Sequence, residues 1–391
     1  MLTPPTPPDA PTAPEGRLAV IDIVRGVALL GIFTVNMLFF SSPAGYFGLT
    51  RTWPGELNWW LEAAVRTFFQ GAFYALFSFL FGLGFALQLR RGRAALPRFR
   101  RRLLVLLGIG ALHASLIWYG DILLSYAAAG FVLAPFAFRR TGVVIAGAAL
   151  FFTLSSGSYL GFWDLGFAGR APWLTLAAFD RTFGEGTYPE VVAYQLRLLG
   201  REVLNFPSFL PTVLWLFLLG LLAGRHEVFA RPNRRLWLWV LAAALPLALI
   251  FKGFYATWLL TGTRHPFSLA FSFALGGPAL MFVYLALLNL LLARARWRQR
   301  LGFFGAAGRM ALSNYLAQSL ICTLIFNGYG LGYWGELGLT VTLPLALAIF
   351  ALQAVFSVLW LRHFRFGPAE WVWRSLTYGA PQPLRHARAG S

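Results

Sequence analysis

A histidine and an aspartate form the pair best suited to chemistry. His113 and Asp121 lie eight residues apart in an otherwise apolar part of the chain. A histidine beside a carboxylate can serve as a general base that deprotonates a hydroxyl or an amine, with the carboxylate holding the tautomer. Eight residues of unbroken helix would rotate the two side chains by about 80°, but Tyr119-Gly120-Asp121 predicts a tight turn. The alternative is a buried histidine that only donates to a neighbouring carbonyl.

Two oppositely charged pairs have the spacing of helical ion pairs. Asp22 and Arg25 are three residues apart, and Glu62 and Arg66 are four apart; both spacings place the side chains on one helix face. Asp22 and Arg25 are candidates for binding a ligand, with a structural ion pair as the alternative. Arg66 is a candidate for the same role, with a solvated salt bridge to Glu62 near the outer surface as the alternative.

Neutral polar residues interrupt two apolar segments. Asn36 follows Arg25 by eleven residues, and Asn314 and Gln318 lie four apart on one helix face. Polar groups at membrane depth are functional candidates because they are costly to bury. Hydrogen bonding between helices is the alternative for all three.

Other chemistries find no support in the sequence. Only one cysteine, Cys322, is present, which excludes an internal disulfide and a zinc ribbon. Gly330, Gly332 and Gly335 match a dinucleotide fingerprint, but no strand precedes them, so the match is spurious. The net charge of +19 comes from short arginine clusters between apolar runs, which is typical of membrane topology and not of nucleic-acid binding. We therefore expect no metal, no bound cofactor and no nucleic-acid partner.

The elements that must position these residues are membrane helices. The chain is 58% hydrophobic and 12% charged, whereas soluble domains are about 25% charged. A span needs about 20 mostly apolar residues. The sequence predicts an all-α transmembrane bundle in the lipid bilayer with ten spans, at 18–40, 62–89, 103–119, 121–138, 142–160, 206–224, 236–258, 268–292, 309–327 and 340–361.

Arginine counts orient this bundle. The even-numbered connections and the C-terminus hold 22 of the 33 basic residues, and the opposite side holds eight. Positive charge collects on the cytoplasmic side. Both termini are therefore predicted to be cytoplasmic, which places Asp121 at the outer surface.

One transmembrane domain, 17–379, is predicted between two disordered tails, 1–16 and 380–391. The outer connection 161–205 contains an amphipathic helix, 188–204, expected to lie on the outer membrane surface; a lid over an outward-facing cavity is the alternative. Gly82, Gly84, Gly108 and Gly110 are expected to permit close helix approach.

Two long motifs carry a family resemblance. GRMALSNYLAQS (308–319) and FRFGPAEWVWRSLTYG (364–379), together with RLAVIDIVRGVALLGIFTVNM (17–37), resemble the YeiB-like family of bacterial inner-membrane proteins, which is also called domain of unknown function 418. The resemblance covers nearly the whole chain outside 141–205. It implies a multi-pass protein of the bacterial plasma membrane, and it names no reaction.

A second resemblance suggests a reaction. The D-x-x-R-G opening, Asp22, Arg25 and Gly26, is similar to the start of membrane acyltransferases of the acyltransferase-three and heparan-glucosaminide acetyltransferase types. This similarity implies acyl transfer from a cytoplasmic donor, with an acyl-CoA-type molecule as substrate. The acyltransferase-three pattern has histidine where this chain has Asn36, so His113 is the internal candidate for the base.

Three functions are therefore compatible with the sequence. The first is a membrane acyltransferase in which His113 and Asp121 are catalytic. The second is a transporter or lipid-handling carrier, and the third is a non-catalytic membrane scaffold. The sequence does not indicate an oligomeric state.

Overall fold

The computed structural model describes residues 19–160, 171–229, 233–261 and 268–386, and these residues contain helices and no β-strand. The all-α class is confirmed. The helices are α1 (Ala19–Phe40), α2 (Ala44–Phe47), α3 (Glu56–Ala64), α4 (Ala72–Gln88), α5 (Leu96–Leu116), α6 (Leu123–Leu133), α7 (Thr141–Tyr159), α8 (Leu176–Glu185), α9 (Tyr188–Arg225), α10 (Arg234–Thr261), α11 (Ser268–Phe271), α12 (Gly277–Leu292), α13 (Ala295–Arg300), α14 (Gly302–Arg309), α15 (Ala311–Phe326), α16 (Leu339–His363) and α17 (Pro368–Tyr378).

Each of the ten predicted segments contains a helix. Seven helical stretches in the described residues are long and apolar enough to cross a membrane, namely α1, α3–α4, α7, α9, α10, Ser272–Leu292 and α16. The apolar stretches Leu123–Phe136 and Ala311–Phe326 are shorter, and α5 begins with the basic sequence LPRFRRR. The number of ten spans and the cytoplasmic termini stay predictions.

The predicted surface helix differs from what the structure contains. Residues 188–204 are helical, but they continue without a break into the predicted sixth span as the 38-residue helix α9. Pro207 and Pro211 lie inside α9 and do not end it, because its flank packs closely on α4 and α7. The segment thus extends along the axis of the span. The first ten residues of the predicted outer connection, 161–170, lie outside the described residues.

Glycines bring helix backbones into contact at two of the four predicted positions. A Cβ on Gly82 of α4 would lie 1.9 Å from the carbonyl oxygen of Phe217 in α9, and one on Gly110 would lie 2.4 Å from the amide nitrogen of Leu124. At Gly84 and Gly108 nothing lies within 4 Å of the added atom. The prediction was wrong for these two glycines, because each faces away from a neighbouring helix.

The two predicted disordered tails compare differently with the structure. Residues 1–16 lie outside the described residues, as do 387–391. Residues 380–386 are held against the bundle: Trp371 donates its indole N–H to the carbonyl of Gln382 at 2.7 Å, and Phe364 pairs with Arg385 in an isolated bridge. The prediction of disorder was therefore wrong for residues 380–386.

Candidate functional site

A large cavity lies at the end of the bundle where α1 begins. Its volume is about 530 Å³, and α1, α4, α5, α6, α14, α15 and α17 contribute to its walls. Its charged lining consists of six arginines and two carboxylates, namely Arg25, Arg90, Arg102, Arg309, Arg365, Arg374, Asp22 and Glu370. Apolar side chains such as Leu29, Phe77 and Leu106 complete the walls. We call this space the arginine cavity.

The arginines of this cavity are only partly neutralised. Arg25 and Arg90 have a carboxylate partner: Arg25 donates to Asp22 across 2.8 Å, and Arg90 lies 3.1 Å from Glu227. The guanidinium of Arg102 lies over the Trp373 ring at 3.8 Å. Arg309 has a buried Nε–H without a hydrogen-bond partner in the described structure. An unsatisfied buried N–H on a charged group is costly, and this Nε–H is a donor that no described residue uses.

A close contact between α1 and α14 positions Asp22 and Arg309 beside each other. A Cβ on Gly26 would lie 1.9 Å from the carbonyl oxygen of Phe304, and one on Gly308 would lie 2.0 Å from the carbonyl oxygen of Asp22. Only glycine permits backbones to approach this closely. The D-x-x-R-G motif therefore places Arg25 against the helix that ends in Arg309.

Glu370 fixes the start of α15 at the same cavity. Its carboxylate accepts the backbone N–H groups of Leu312 at 2.7 Å and Ser313 at 3.1 Å, and the Ser313 hydroxyl donates to it at 2.5 Å. Burial raises the pKa of Glu370 above its usual value, although these hydrogen bonds act in the opposite direction. Burial also lowers the pKa of the neighbouring Arg374. The GPAEW segment is thus a cap for α15 that also carries cavity charges.

His113 and Asp121 are in direct contact, as the general-base hypothesis requires. The His113 Nδ1 lies 2.7 Å from Asp121 Oδ2, and both side chains are 1% exposed. The other carboxylate oxygen accepts the backbone N–H of Leu124 at 2.8 Å, which caps α6. An ionised carboxylate only accepts, so Nδ1 donates and the basic lone pair of a neutral imidazole is on Nε2. Among the described residues, that Nε2 has no partner.

Tyr315 connects this pair to the cavities. Its ring lies 5.1 Å from the His113 imidazole. It lines the arginine cavity and also a second cavity of about 220 Å³, lined by Asn36, Gln70 and mainly apolar residues. We call the second space the neutral cavity. His113 and Asp121 line neither cavity and lie behind Tyr315. Arg25 lines the arginine cavity, and Asn36 lines the neutral cavity.

The other predicted candidates contact protein groups away from both cavities. Glu62 and Arg66 pair at 2.8 Å, but both are buried, so the predicted solvated salt bridge was wrong. Arg66 is buried because it also donates to the carbonyl of Leu49. Asn314 donates to the carbonyl of Ala307 and to the hydroxyl of Ser357.

Gln318 makes the same kind of contact between helices. Its amide donates to the side chain of Gln353 at 2.9 Å, which joins α15 to α16. Gln353 in turn donates to the carbonyl of Asn314 at 3.0 Å. Among the two alternatives for Asn314 and Gln318, these contacts favour helix packing.

Sequence reasoning missed Lys252, the single lysine of the chain. It is 5% exposed in the middle of α10. Its ammonium donates to the carbonyl of Gln70 at 2.7 Å and to the hydroxyl of Ser272 at 3.1 Å, beside two π-helical turns, Val65–Phe69 and Ser272–Gly276. The signal was present, because an ionisable residue interrupts an apolar run.

Long apolar helices and a concentration of arginines at one end of the bundle define a multi-pass α-helical membrane protein. Residues 223–380 match the family described as "Protein of unknown function (DUF418)". The chain is 32% identical to YxaH of Bacillus subtilis (strain 168), covering 96% of this chain and 97% of the relative. It is 31% identical to YeiB of Escherichia coli (strain K12), covering 94% and 98%. The chain belongs to the YeiB-like DUF418 family, which confirms the resemblance of the two long motifs.

Proposed function

We propose that this protein transfers an acyl group from an anionic thioester donor of the acyl-CoA type to an acceptor at the bacterial plasma membrane. The arginine cavity is the observation that carries the proposal. Its lining holds six arginines and two carboxylates, and Arg90 has a further carboxylate partner in Glu227. The remaining excess of positive charge suits a phosphorylated donor head, and the apolar walls suit an acyl chain. In the predicted topology this cavity opens to the cytoplasm, where such donors are made.

The arginines are better suited to phosphates than to a single carboxylate. A guanidinium binds phosphate oxygens with two parallel hydrogen bonds and stays charged at all physiological pH values. Arg309, whose buried Nε–H is unpartnered, and Arg365, on the loop before α17, approach the same space. We assign the donor phosphates to these two residues, together with Arg25.

His113 is assigned the role of general base in the transfer. An acceptor hydroxyl attacks the thioester carbonyl, the new C–O bond forms, and the C–S bond breaks. Nε2 of His113 takes the hydroxyl proton and passes it to the departing thiolate, while Asp121 stabilises the imidazolium. We expect the Tyr315 ring to turn aside to admit the reacting groups, since it contacts His113 and lines both cavities, whereas His113 lines neither.

Thioester cleavage tests this proposal. Purified protein in lipid nanodiscs is given octanoyl-CoA together with octanol as the acceptor hydroxyl, and the released thiol is measured with a thiol-reactive dye. The only protein cysteine is buried and adds little signal. His113→Ala is expected to slow cleavage by about a hundredfold, in the range of general-base catalysis. His363→Ala, at an exposed histidine outside both cavities, is the matched control and should keep the full rate.

Asp121→Asn provides a second variant of similar shape. It keeps the volume of the side chain but no longer favours the proton on Nδ1, so cleavage should again fall strongly. Equal rates in the parent protein, His113→Ala and Asp121→Asn would contradict the proposal.

A carrier is the second candidate, and one observation favours it. Three residues, Ile32, Ile122 and Tyr315, line both cavities and separate them. A thin wall between two spaces is the arrangement that alternating access requires. Uptake of an anionic lipid into proteoliposomes without any covalent change would support this alternative over acyl transfer.

A further inference from the structure

The neutral cavity differs in chemistry from its neighbour. None of the described residues that line it is a lysine, arginine, histidine, aspartate or glutamate. Its polar groups are the amides of Asn36 and Gln70, the phenols of Tyr74 and Tyr315, and glycine backbone. Placing a charge here without a counter-charge would be very costly. A nearby charge is the Lys252 ammonium, which lies outside the lining and is bound to the Gln70 carbonyl and the Ser272 hydroxyl. The lining itself therefore favours a neutral ligand.

Two amides of this cavity are free to bind such a ligand. Gln70 has a buried Oε1 that accepts no hydrogen bond from the described residues. Asn36 makes no side-chain hydrogen bond within the same part of the chain, although it lies on α1 at membrane depth. A buried amide oxygen without a donor, as on Gln70, favours a ligand that carries a hydroxyl or an N–H.

The position of Gln70 is fixed by the surrounding backbone. The first π-helical turn, Val65–Phe69, ends at Gln70, and Gly71 follows with φ of 87°. Lys252 donates to the Gln70 carbonyl at 2.7 Å. The amide of Gln70 is therefore held at the cavity by a rigid helix interruption, a feature that often occurs at functional sites.

The volume limits the size of the ligand. An engineered apolar cavity of about 150 Å³ holds a benzene molecule. The neutral cavity, at about 220 Å³, has space for an apolar group of about eight carbon atoms or fewer by the same comparison. Phe39, Phe69 and Phe73 give it apolar walls for such a group.

We infer that the neutral cavity is the acceptor site, and that it binds an uncharged alcohol with an apolar body through Asn36 and Gln70. This inference rests on the proposed acyl transfer. It places acceptor and donor on opposite sides of Ile32, Ile122 and Tyr315. His113, which contacts Tyr315, lies next to the point where the two ligands meet. The arginine cavity thereby binds the charged donor, and the neutral cavity binds the uncharged acceptor.

Photolabelling tests the site without requiring turnover. The protein in nanodiscs is irradiated with an octanol that carries a diazirine, and adducts are mapped by mass spectrometry. Adducts are expected on residues of the neutral cavity, with octanol competing and octanoate failing to compete. Asn36→Leu is expected to reduce labelling roughly three- to tenfold, the loss of one hydrogen bond.

Two further variants keep the test decisive. Gln70→Met removes a buried oxygen that has no partner, so the variant should fold at least as well as the parent while also labelling less. Thr34→Val is the matched control, because its hydroxyl donates to Leu30 in α1 and does not line either cavity; its labelling should be unchanged.

The outcomes separate the two proposals. Labelling in the neutral cavity that Asn36→Leu and Gln70→Met weaken supports the site, even if octanoyl-CoA is not cleaved, in which case only the acyl transfer is wrong. Adducts spread over lipid-facing residues, unchanged labelling in both variants, or equal competition by octanoate would each overturn the site even if cleavage is observed.

Discussion

Gly82 and Gly84 lie two residues apart in α4, and replacing each with alanine should change the stability of the protein in opposite directions. Gly82 contacts the backbone of α9, where an added Cβ would lie 1.9 Å from the Phe217 carbonyl oxygen. The contact is reciprocal, because a Cβ on Gly220 of α9 would lie 2.0 Å from the carbonyl oxygen of Phe79. Gly84, two residues further along, faces the arginine cavity and has nothing within 4 Å.

The magnitudes follow from these distances. An ordinary Cβ contact begins at 3.4 Å, so Gly82→Ala must separate α4 and α9 by about 1.5 Å or distort one of them. Overpacking of this kind costs about 1–3 kcal/mol, and the better helix propensity of alanine offsets about 1 kcal/mol. We expect the upper end, since the added Cβ meets backbone atoms of Phe217, which cannot turn aside as a flexible side chain can. At Gly84 only the gain of about 1 kcal/mol remains.

Thermal unfolding in matched nanodiscs measures the difference. Gly82→Ala should melt below the parent protein and Gly84→Ala at or slightly above it, with a gap of about 4 °C or more between the two variants. The two substitutions are chemically identical and lie in the same helix, so each is the control for the other. Equal melting temperatures would refute the close α4–α9 contact as we describe it.

Three further predictions concern charged groups. The pKa of Glu370 is raised in the folded protein, so the stability that Glu370 contributes is fully present below the ordinary glutamate pKa and is lost as the pH rises through the raised value. Glu370→Gln should therefore flatten the dependence of the melting temperature on pH in that window. An unchanged pH profile would contradict the raised pKa. Lys252→Met should raise the melting temperature, because the buried ammonium has only two hydrogen bonds and no carboxylate partner among the described residues. A lower melting temperature would contradict this and show that Lys252 stabilises the fold. Gly84→Leu should project into the arginine cavity and weaken octanoyl-CoA binding with no loss of melting temperature, and undiminished binding would contradict a donor in this space.

Sequence reasoning located the helices well because apolar length is a strong local signal. Each predicted span contains a helix, and the D-x-x-R-G residues lie at a cavity. The continuity of α9 was missed because the amphipathic pattern of 188–204 and the apolar pattern of 206–224 indicate two different environments. Pro207 and Pro211, of a residue type that usually ends helices, lie inside α9, where its neighbours support it. Such tertiary support is not visible in local sequence.

The site was only partly predictable for the same reason. The contact of His113 with Asp121 depends on the turn at Gly120. The separation of this pair from the cavities depends on Tyr315, which lies about 200 positions further along the chain. The arginine cavity combines residues from seven helices and several loops, so no spacing rule could assemble it. Lys252 was the one clear local signal that the sequence reasoning left unused.

The most direct test of the account is whether the arginine cavity binds an anionic acyl donor. Binding of octanoyl-CoA to the protein in nanodiscs is measured by calorimetry for the parent protein, Arg309→Met and Arg298→Met. Arg309 lines the cavity, whereas Arg298 is exposed on α13 and has the same charge. We predict that Arg309→Met raises the Kd by about tenfold or more, the loss of a charged hydrogen bond, and that Arg298→Met leaves it unchanged. Equal affinity in all three proteins, or no binding in any, would contradict the account.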